Sequence, residues 1–141
     1  MSPVLPASLV LDASLALSWC FEDKNVAADR LLDLVVEHGA VVPAIWRLEV
    51  ANALQTAVRQ GRIAAAYRDR ALAELALLPI RVDADTDTYA WSTSLRLAER
   101  LALPLHAAAY LELAQRRSLK LATLDVALRQ AAGALGLELA A

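Results

Sequence analysis

The chain has 141 residues, of which 58% are hydrophobic and 21% charged, and its net charge is −2 at pH 7. This length suits one domain whose core needs no disulfide or structural metal, and the composition excludes a disordered chain. The acidic balance excludes binding of nucleic acid by bulk positive charge, so any RNA binding would depend on local arginines and bound metal. The apolar surplus predicts that a partner covers part of the surface.

Cellular location is predicted from what the sequence lacks. The single cysteine, Cys20, cannot form an intrachain disulfide, which fits a reducing compartment. The first eleven residues carry no basic segment and their apolar run stops at Asp12, so we predict no secretory signal. No apolar stretch reaches the roughly eighteen residues of a membrane span. We therefore expect a cytoplasmic protein that does not cross a membrane.

Short apolar segments alternate with longer helical patterns along the chain. The predicted strands are Ser8–Leu11, Ala40–Val42, Ile80–Val82 and Leu119–Ala122, with Leu137–Leu139 as a fifth strand at an edge. The predicted helices are Ser14–Cys20, Asn25–Glu37, Ala44–Gln60, Ile63–Leu78, Thr86–Leu101, His106–Arg117 and Asp125–Leu135. This alternation predicts one α/β domain over residues 1–141, with a mainly parallel sheet of four to five short strands flanked by helices.

Two acidic residues follow predicted strands, Asp12 after the first and Asp125 shortly after the fourth. The carboxyl ends of parallel strands meet at one edge of a sheet, where ligands usually bind. Each acid could instead cap the helix that follows it, and the sequence leaves both interpretations open.

A third candidate acid, Glu49, lies within a predicted helix in a row with the apolar residues Ile45 and Ala53. This spacing turns its carboxylate inward or into a cleft, which is costly without a cation or hydrogen-bond donors. A lateral, exposed Glu49 on a wide helix face is the alternative. Asn52, one turn later, could orient Glu49 or contact its ligand.

Converging carboxylates repel one another unless a hard divalent cation neutralises them. Mg²⁺ prefers oxygen ligands, and a site of this kind polarises a phosphodiester and activates water for attack without a covalent nucleophile. The three candidate acids therefore predict metal-dependent phosphodiester chemistry, with Mg²⁺ as the first choice and Mn²⁺ as a second.

Three segments of the chain resemble VapC-type toxins of the PIN-domain ribonuclease family. They are VLDAS (10–14), RLEVANAL (47–54) and AAYLELAQRRSLKLATLDVALRQAA (108–132), and they occur in the family's order over nearly the whole chain. The resemblance implies a PIN-like parallel sheet, a homodimer and Mg²⁺- or Mn²⁺-dependent endoribonuclease activity in a type II toxin–antitoxin system. It also implies a cognate VapB-type antitoxin that covers the site. The RNA substrate could be tRNA or rRNA.

Carried over by position, Asp12, Glu49 and Asp125 match three of the family's metal-binding and catalytic acids. Thr123 matches the hydroxyl residue that supports the cluster, and Ser14 is a second candidate for that role.

The chain departs from the family at a fourth acid. Where the family reads Asp-Ala-Ala-Tyr-Leu-Glu-Leu-Ala, this chain has Ala107 in place of the aspartate, and Tyr110 and Glu112 fix the alignment. Glu112 is expected on another face of the helix, and the imidazole of His106 is a poor ligand for Mg²⁺. We therefore expect weak metal binding and little or no cleavage. An engineered change or natural degeneration would explain Ala107, and the intact neighbouring acids favour the first.

The alternative function is a PIN-like dimer that binds an antitoxin or RNA without cutting it. A phosphoacceptor receiver domain would need an acidic pair after the first strand, and a haloacid-dehalogenase-like phosphatase would need an acid where Ser14 stands. Neither pattern is present.

The remaining polar and aromatic residues have simpler predicted places. The three tryptophans, Trp19, Trp46 and Trp91, are expected in the core or at an interface. The arginine pairs, among them Arg116 and Arg117, are expected mostly on solvated helix faces, with some of them guiding RNA phosphates.

Overall fold

The computed structural model describes residues 7, 9–21 and 25–140. Within these residues, four strands form one sheet in the order β3-β2-β1-β4, and every neighbouring pair is parallel. The strands are β1 (Leu9–Leu11), β2 (Ala40–Val42), β3 (Ile80–Val82) and β4 (Lys120–Ala122). The predicted α/β class and parallel sheet are confirmed. The predicted start of the first strand at Ser8 lies outside the described residues.

Helices flank the sheet. They are α1 (Ala13–Cys20), α2 (Val26–His38), α3 (Trp46–Arg59), α4 (Ala65–Ala76), α5 (Thr86–Tyr89), α6 (Leu95–Leu101), α7 (Leu105–Arg117) and α8 (Val126–Ala134). The strands β1 and β2 are buried along their whole length, as expected for apolar runs covered on both faces of a parallel sheet. Helix α7 packs against β1 and β4 and carries a long run of buried residues, so much of it lies within the core.

Gly39 shows why the chain turns where it does between α2 and β2. Its N–H donates to the carbonyl oxygen of Val35 and its φ is +79°, a backbone conformation that favours glycine. A Cβ at this position would lie 3.0 Å from the carbonyl oxygen of Pro79, which accepts a hydrogen bond from the N–H of Ala40. The turn therefore brings β2 directly beside the start of β3.

Two predicted elements differ in the structure. The helix predicted from Thr86 to Leu101 is interrupted by a π-helical segment, Ala90–Ser94, which widens one turn and leaves Trp91 outside the fold. The fifth strand predicted at Leu137–Leu139 is reduced to a single parallel bridge between Leu139 and Leu121. The described part of the chain contains no helix long and apolar enough to cross a membrane.

Candidate functional site

The parallel pairing of β1 with β4 brings together residues more than a hundred positions apart. Asp12 follows β1 directly, and its N–H continues the ladder by donating to the carbonyl oxygen of Ala122 at 2.9 Å. Thr123 follows β4 at the same edge of the sheet. Both side chains are buried, so the carboxylate and the hydroxyl have little contact with bulk solvent.

Two hydroxyl groups hold the carboxylate of Asp12. Ser14 Oγ and Thr123 Oγ1 each donate to Asp12 Oδ2 at 2.6 Å. The same hydroxyl oxygens accept from backbone N–H groups, Ser14 from Leu124 at 3.1 Å and Thr123 from Asp125 at 3.0 Å. Each hydroxyl is therefore committed as donor to the carboxylate and as acceptor to the backbone, which fixes the orientation of Asp12.

The charge of Asp12 is only partly compensated. Burial raises the pKa of its carboxyl above 3.8, the hydrogen bonds from Ser14 and Thr123 oppose that shift, and the nearby charge of Asp125 adds to it. No ion pair within the described residues involves Asp12. A buried carboxylate without a counter-charge favours binding of a cation.

We expect Asp12→Asn to raise the thermal midpoint at pH 7 in the presence of a chelator. Because the pKa of Asp12 is higher in the folded chain, its ionisation costs stability, and this cost grows as pH rises through that pKa. Asparagine can still accept from Ser14 and Thr123. A rise of a few degrees, as expected for about 1 kcal/mol in a domain of this size, would be measured by thermal unfolding.

The gain in Asp12→Asn should shrink as pH falls through the raised pKa of Asp12, because the carboxyl group of the chain as written then becomes protonated as well. The matched control is Asp33→Asn, at an exposed position of α2, which should leave the midpoint unchanged. A lower midpoint for Asp12→Asn at pH 7 would contradict the view that burial penalises this carboxylate.

Glu49 reaches the same region from α3. Its Oε1 accepts a hydrogen bond from the hydroxyl of Tyr110 at 2.6 Å, and its Oε2 lies 3.1 Å from Nδ1 of His106. Tyr110 is buried, and burial together with the bond to Glu49 raises the pKa of its phenol far above 10. The hydroxyl group of Tyr110 therefore stays protonated at any physiological pH, and its hydrogen bond fixes the position of Glu49 Oε1.

Asp125 both caps a helix and lies at the site. It is the N-cap residue of α8, and its Oδ1 accepts from the N–H of Ala127 at 2.8 Å and of Leu128 at 3.4 Å. Asp12 is in the equivalent position before α1, but its side chain makes no cap hydrogen bond of this kind. The sequence left both acids as candidates for helix capping. In the structure only the side chain of Asp125 accepts cap hydrogen bonds.

These residues share one open cavity of about 220 Å³. It is lined by Asp12, Ala13, Ser14, Leu17, Glu49, His106, Ala107, Tyr110, Asp125 and Leu128. Three sequence-predicted acids and the position of the missing fourth therefore face a common space. Asn52 does not line the cavity: it is exposed on α3, and Tyr110 and His106, rather than Asn52, hold Glu49.

The cavity walls are acidic but do not form a compact ligand cluster. Within the ranges 9–21 and 25–140, no three His, Cys, Asp or Glu side chains are grouped closely enough to hold a metal ion. Two features account for this: Glu49 is held by His106 and Tyr110, and Ala107 contributes no oxygen. The donors present are carboxylates and hydroxyls, the oxygen ligands that suit Mg²⁺, and Ala107 stands at the position where the family resemblance expects a further carboxylate.

A second charged network lies away from this cavity, and the sequence did not reveal it. Asp83 follows β3 and has a fully buried side chain, and Glu112 of α7 is almost as buried. Arg116 joins them: its Nη2 lies 2.6 Å from Asp83 Oδ2, and its Nε lies 2.7 Å from Glu112 Oε2. The guanidinium also stacks over the ring of Tyr89 at 4.7 Å.

The prediction that Arg116 lies on a solvated helix face is therefore wrong. Only 20% of its side chain is exposed, because its guanidinium forms ion pairs with two buried carboxylates. Its i, i+4 spacing from Glu112 was the one signal in the sequence. Arg117, at 44% exposure, is the more solvated member of the pair, and Glu112 faces this network and not the acidic cavity.

Comparison with known proteins supports the fold and goes no further. No protein-family model matches the chain, and no curated protein matches it. Among solved structures, the chain is similar to the crystal structure of PAE2754 from Pyrobaculum aerophilum, with a TM-score of 0.67 and 23% sequence identity. The likeness covers 89% of this chain and 79% of that one. The chain is thus an α/β protein with a parallel sheet, and at this identity the likeness carries no activity.

Proposed function

We propose that the chain is a Mg²⁺-dependent endoribonuclease toxin of the VapC type, within the PIN-domain family, whose cleavage is impaired by Ala107. The observation that carries this proposal is the common cavity lined by Asp12, Glu49 and Asp125, which come from three separate parts of the chain. Ala107 lines the same cavity, at the position where the family resemblance expects a fourth carboxylate.

In this proposal, Asp12, Glu49 and Asp125 would hold the metal, with Mn²⁺ as an alternative to Mg²⁺. When bound, the ion would supply Lewis-acid polarisation of an RNA phosphodiester. Ser14 and Thr123 orient the carboxylate of Asp12.

On the opposite wall, Tyr110 and His106 orient Glu49. His106 is the more exposed of these two partners and lies at the rim, where it can contact substrate.

The proposed partners follow from the resemblance and from charge. An acidic cavity without bound metal repels RNA phosphates and attracts a basic side chain. A cognate VapB-type antitoxin would therefore inhibit by laying a basic segment across the cavity. The proposed substrate is RNA, with tRNA and rRNA as candidates, and the proposed location is the cytoplasm.

The second candidate function is a PIN-like dimer that binds an antitoxin or RNA without cutting. Two observations favour it: Ala107 adds no ligand to the cavity, and the described residues contain no compact group of metal-binding side chains. Under this function, a carboxylate restored at position 107 would not produce cleavage.

Metal binding tests the assigned role of position 107 before any RNA target is known. We expect Mg²⁺ to raise the thermal midpoint of the Ala107→Asp variant clearly and that of the chain as written only slightly. A ligand at about 100 times its dissociation constant stabilises by about 2.7 kcal/mol. Adding Asp12→Asn to Ala107→Asp should remove the Mg²⁺ response. Equal and strong Mg²⁺ stabilisation of both chains would contradict the assigned role of position 107.

A further inference from the structure

The indole N–H of Trp46 is buried without a hydrogen-bond acceptor. Trp46 is the first residue of α3 and is 5% exposed, and its Nε1 atom has no partner among the described residues. The indole nitrogen can only donate, and a buried donor that is left unpaired costs free energy. An acceptor from outside the chain, either water or a ligand, would satisfy this donor.

Trp46 lines a cavity of about 250 Å³ that lies between α3, α4 and the start of β3. Its walls are mainly aliphatic, and they include Val50 of α3 together with Leu72 and Leu75 of α4. Sites for drug-sized ligands occupy roughly 300–1,000 Å³, so this cavity suits a smaller molecule with an apolar body.

The charge at this cavity is that of Arg47, the next residue of α3. Arg47 lines the cavity and is exposed, and within the described part of the chain it forms no ion pair. None of the described residues that line the cavity is acidic. One guanidinium and one unpaired N–H donor therefore favour an anionic ligand, since a carboxylate can accept from both groups.

We infer that this cavity binds an aliphatic monocarboxylate of about eight carbons, the size that a cavity below the drug-sized range can hold. The carboxylate accepts from the indole N–H of Trp46 and from the guanidinium of Arg47, and the hydrocarbon chain packs against the aliphatic walls. This site is separate from the acidic cavity, and the inference does not depend on the proposed nuclease function.

A larger cavity of about 360 Å³, between α1, α2 and α4, lacks these features. Its two aromatic donors, the indole N–H of Trp19 and the hydroxyl of Tyr67, already donate to backbone carbonyl oxygens. Two charged residues of opposite sign, Arg70 and Glu74, line it, so its charge does not favour an anion. The unpaired donor and the positive charge therefore distinguish the smaller cavity.

The test is binding of sodium octanoate to the full chain, measured by isothermal titration calorimetry up to about 10 mM. We expect a dissociation constant below about 1 mM, a value within reach of a ligand of this size. From butanoate to octanoate, each added CH₂ should tighten binding about fourfold, since each is removed from water in the cavity.

Four variants locate the ligand. Trp46→Phe, which removes the N–H donor, should weaken octanoate binding at least about 10-fold, as loss of a hydrogen bond to a charged group does. Arg47→Gln should weaken it at least about fivefold at low salt. Ala51→Leu places a larger side chain in the cavity and should abolish binding. The matched control is Arg59→Gln, an exposed position at the other end of α3, which should leave the affinity unchanged.

Cooperative urea unfolding of each variant would show that it folds, and Arg47→Gln and Ala51→Leu keep the test decisive if Trp46→Phe does not. Absence of octanoate binding up to about 10 mM would overturn the inference, as would equal affinities of Arg47→Gln and Arg59→Gln. Unchanged binding in Ala51→Leu would place the ligand elsewhere on the chain, and an affinity independent of chain length would show that the aliphatic walls do not hold it.

Discussion

Replacing Ala107 by Asp should give the chain the RNA cleavage that the proposed function expects of a complete metal site. With Mg²⁺ or Mn²⁺ present, we expect Ala107→Asp to cleave RNA from a mixture of tRNA and rRNA at least about 100 times faster than the chain as written. Loss of groups that merely orient metal ligands costs about 10–100-fold, and a ligand itself should count for more. Fragments would be followed by gel electrophoresis, with a chelator as the blank.

The expected effect of this substitution follows from the location of Ala107. Ala107 is buried at the start of α7 and lines the cavity with Asp12, Glu49 and Asp125. A carboxylate here would add the missing oxygen ligands without displacing another polar group. Without metal it would also add repulsion, so the chelated variant should melt at a lower temperature than the chain as written.

Two controls isolate the charge at position 107. Ala107→Asn has nearly the size of the aspartate but no negative charge, and it should not cleave. Ala107→Asp combined with Asp12→Asn should lose the gained activity. If the chain as written and Ala107→Asp cleaved equally well, position 107 would not belong to the metal site. If neither cleaved any RNA tested while both bound it, the binding function would be favoured.

Replacing Arg116 by Ala should cost about 3–5 kcal/mol of folding stability, the loss expected when a buried charge pair is left with one partner missing. Arg116 contacts Asp83 and Glu112, whose side chains are 0% and 4% exposed. Without the guanidinium, Glu112 would lose both hydrogen bonds from Arg116, and Asp83 would keep only the more distant and more exposed Arg117 as a cation. Urea denaturation would measure the loss.

Two variants separate charge from packing. Arg116→Met keeps the apolar stem and should be nearly as destabilising as Arg116→Ala. Arg117 is half-exposed, and its Nη2 lies 3.4 Å from Asp83 Oδ1, farther than the nearest nitrogen of Arg116. Arg117→Ala should therefore cost less than about 1 kcal/mol of folding stability. A loss of similar size in Arg116→Ala and Arg117→Ala would show that the network is not centred on Arg116.

The same network sets a dependence on acid pH. Burial acts to raise the pKa of Asp83, but the hydrogen bonds from Arg116 and Thr86 outweigh it and hold that pKa below 3.8. Because the folded pKa is lowered, the stabilisation is present above the unfolded value of about 3.9 and is lost as pH falls through the folded value. The difference in the free energy of unfolding between the chain as written and Arg116→Ala should therefore become smaller below pH 4.

Local sequence patterns were sufficient for most elements of the fold. Short apolar runs bounded by Gly39, Pro43 and Pro79 specify β2 and β3, because burial and turn chemistry act within a few residues. Asp12 could be assigned to the end of β1 for the same reason. The π-helical segment 90–94 could not be predicted, since it contains neither proline nor glycine to mark an interruption of the helix.

Contacts between distant residues could be predicted only in part. Parallel strands align their carboxyl ends, so Asp12 and Thr123 must lie close together if β1 and β4 are neighbours. The sequence does not show that these two strands are neighbours, because the tertiary structure sets the order of the strands in the sheet. The hydrogen-bond partners of Glu49 were not predicted. Asn52 was the candidate because it is close in sequence, but the packing of α7 against the sheet places Tyr110 and His106 beside Glu49.

The sequence by itself determined the α/β class, the approximate limits of the strands and helices, and the candidate acids, because burial periodicity and turn residues are local properties. Only the tertiary structure decided that Asp125 accepts cap hydrogen bonds while Asp12 is held by two hydroxyls. It alone also drew Arg116 into a buried network and left Trp91 in solvent. These outcomes depend on which surfaces pack together. The residues next to a charged side chain or a tryptophan in the sequence do not show which distant residues it will contact.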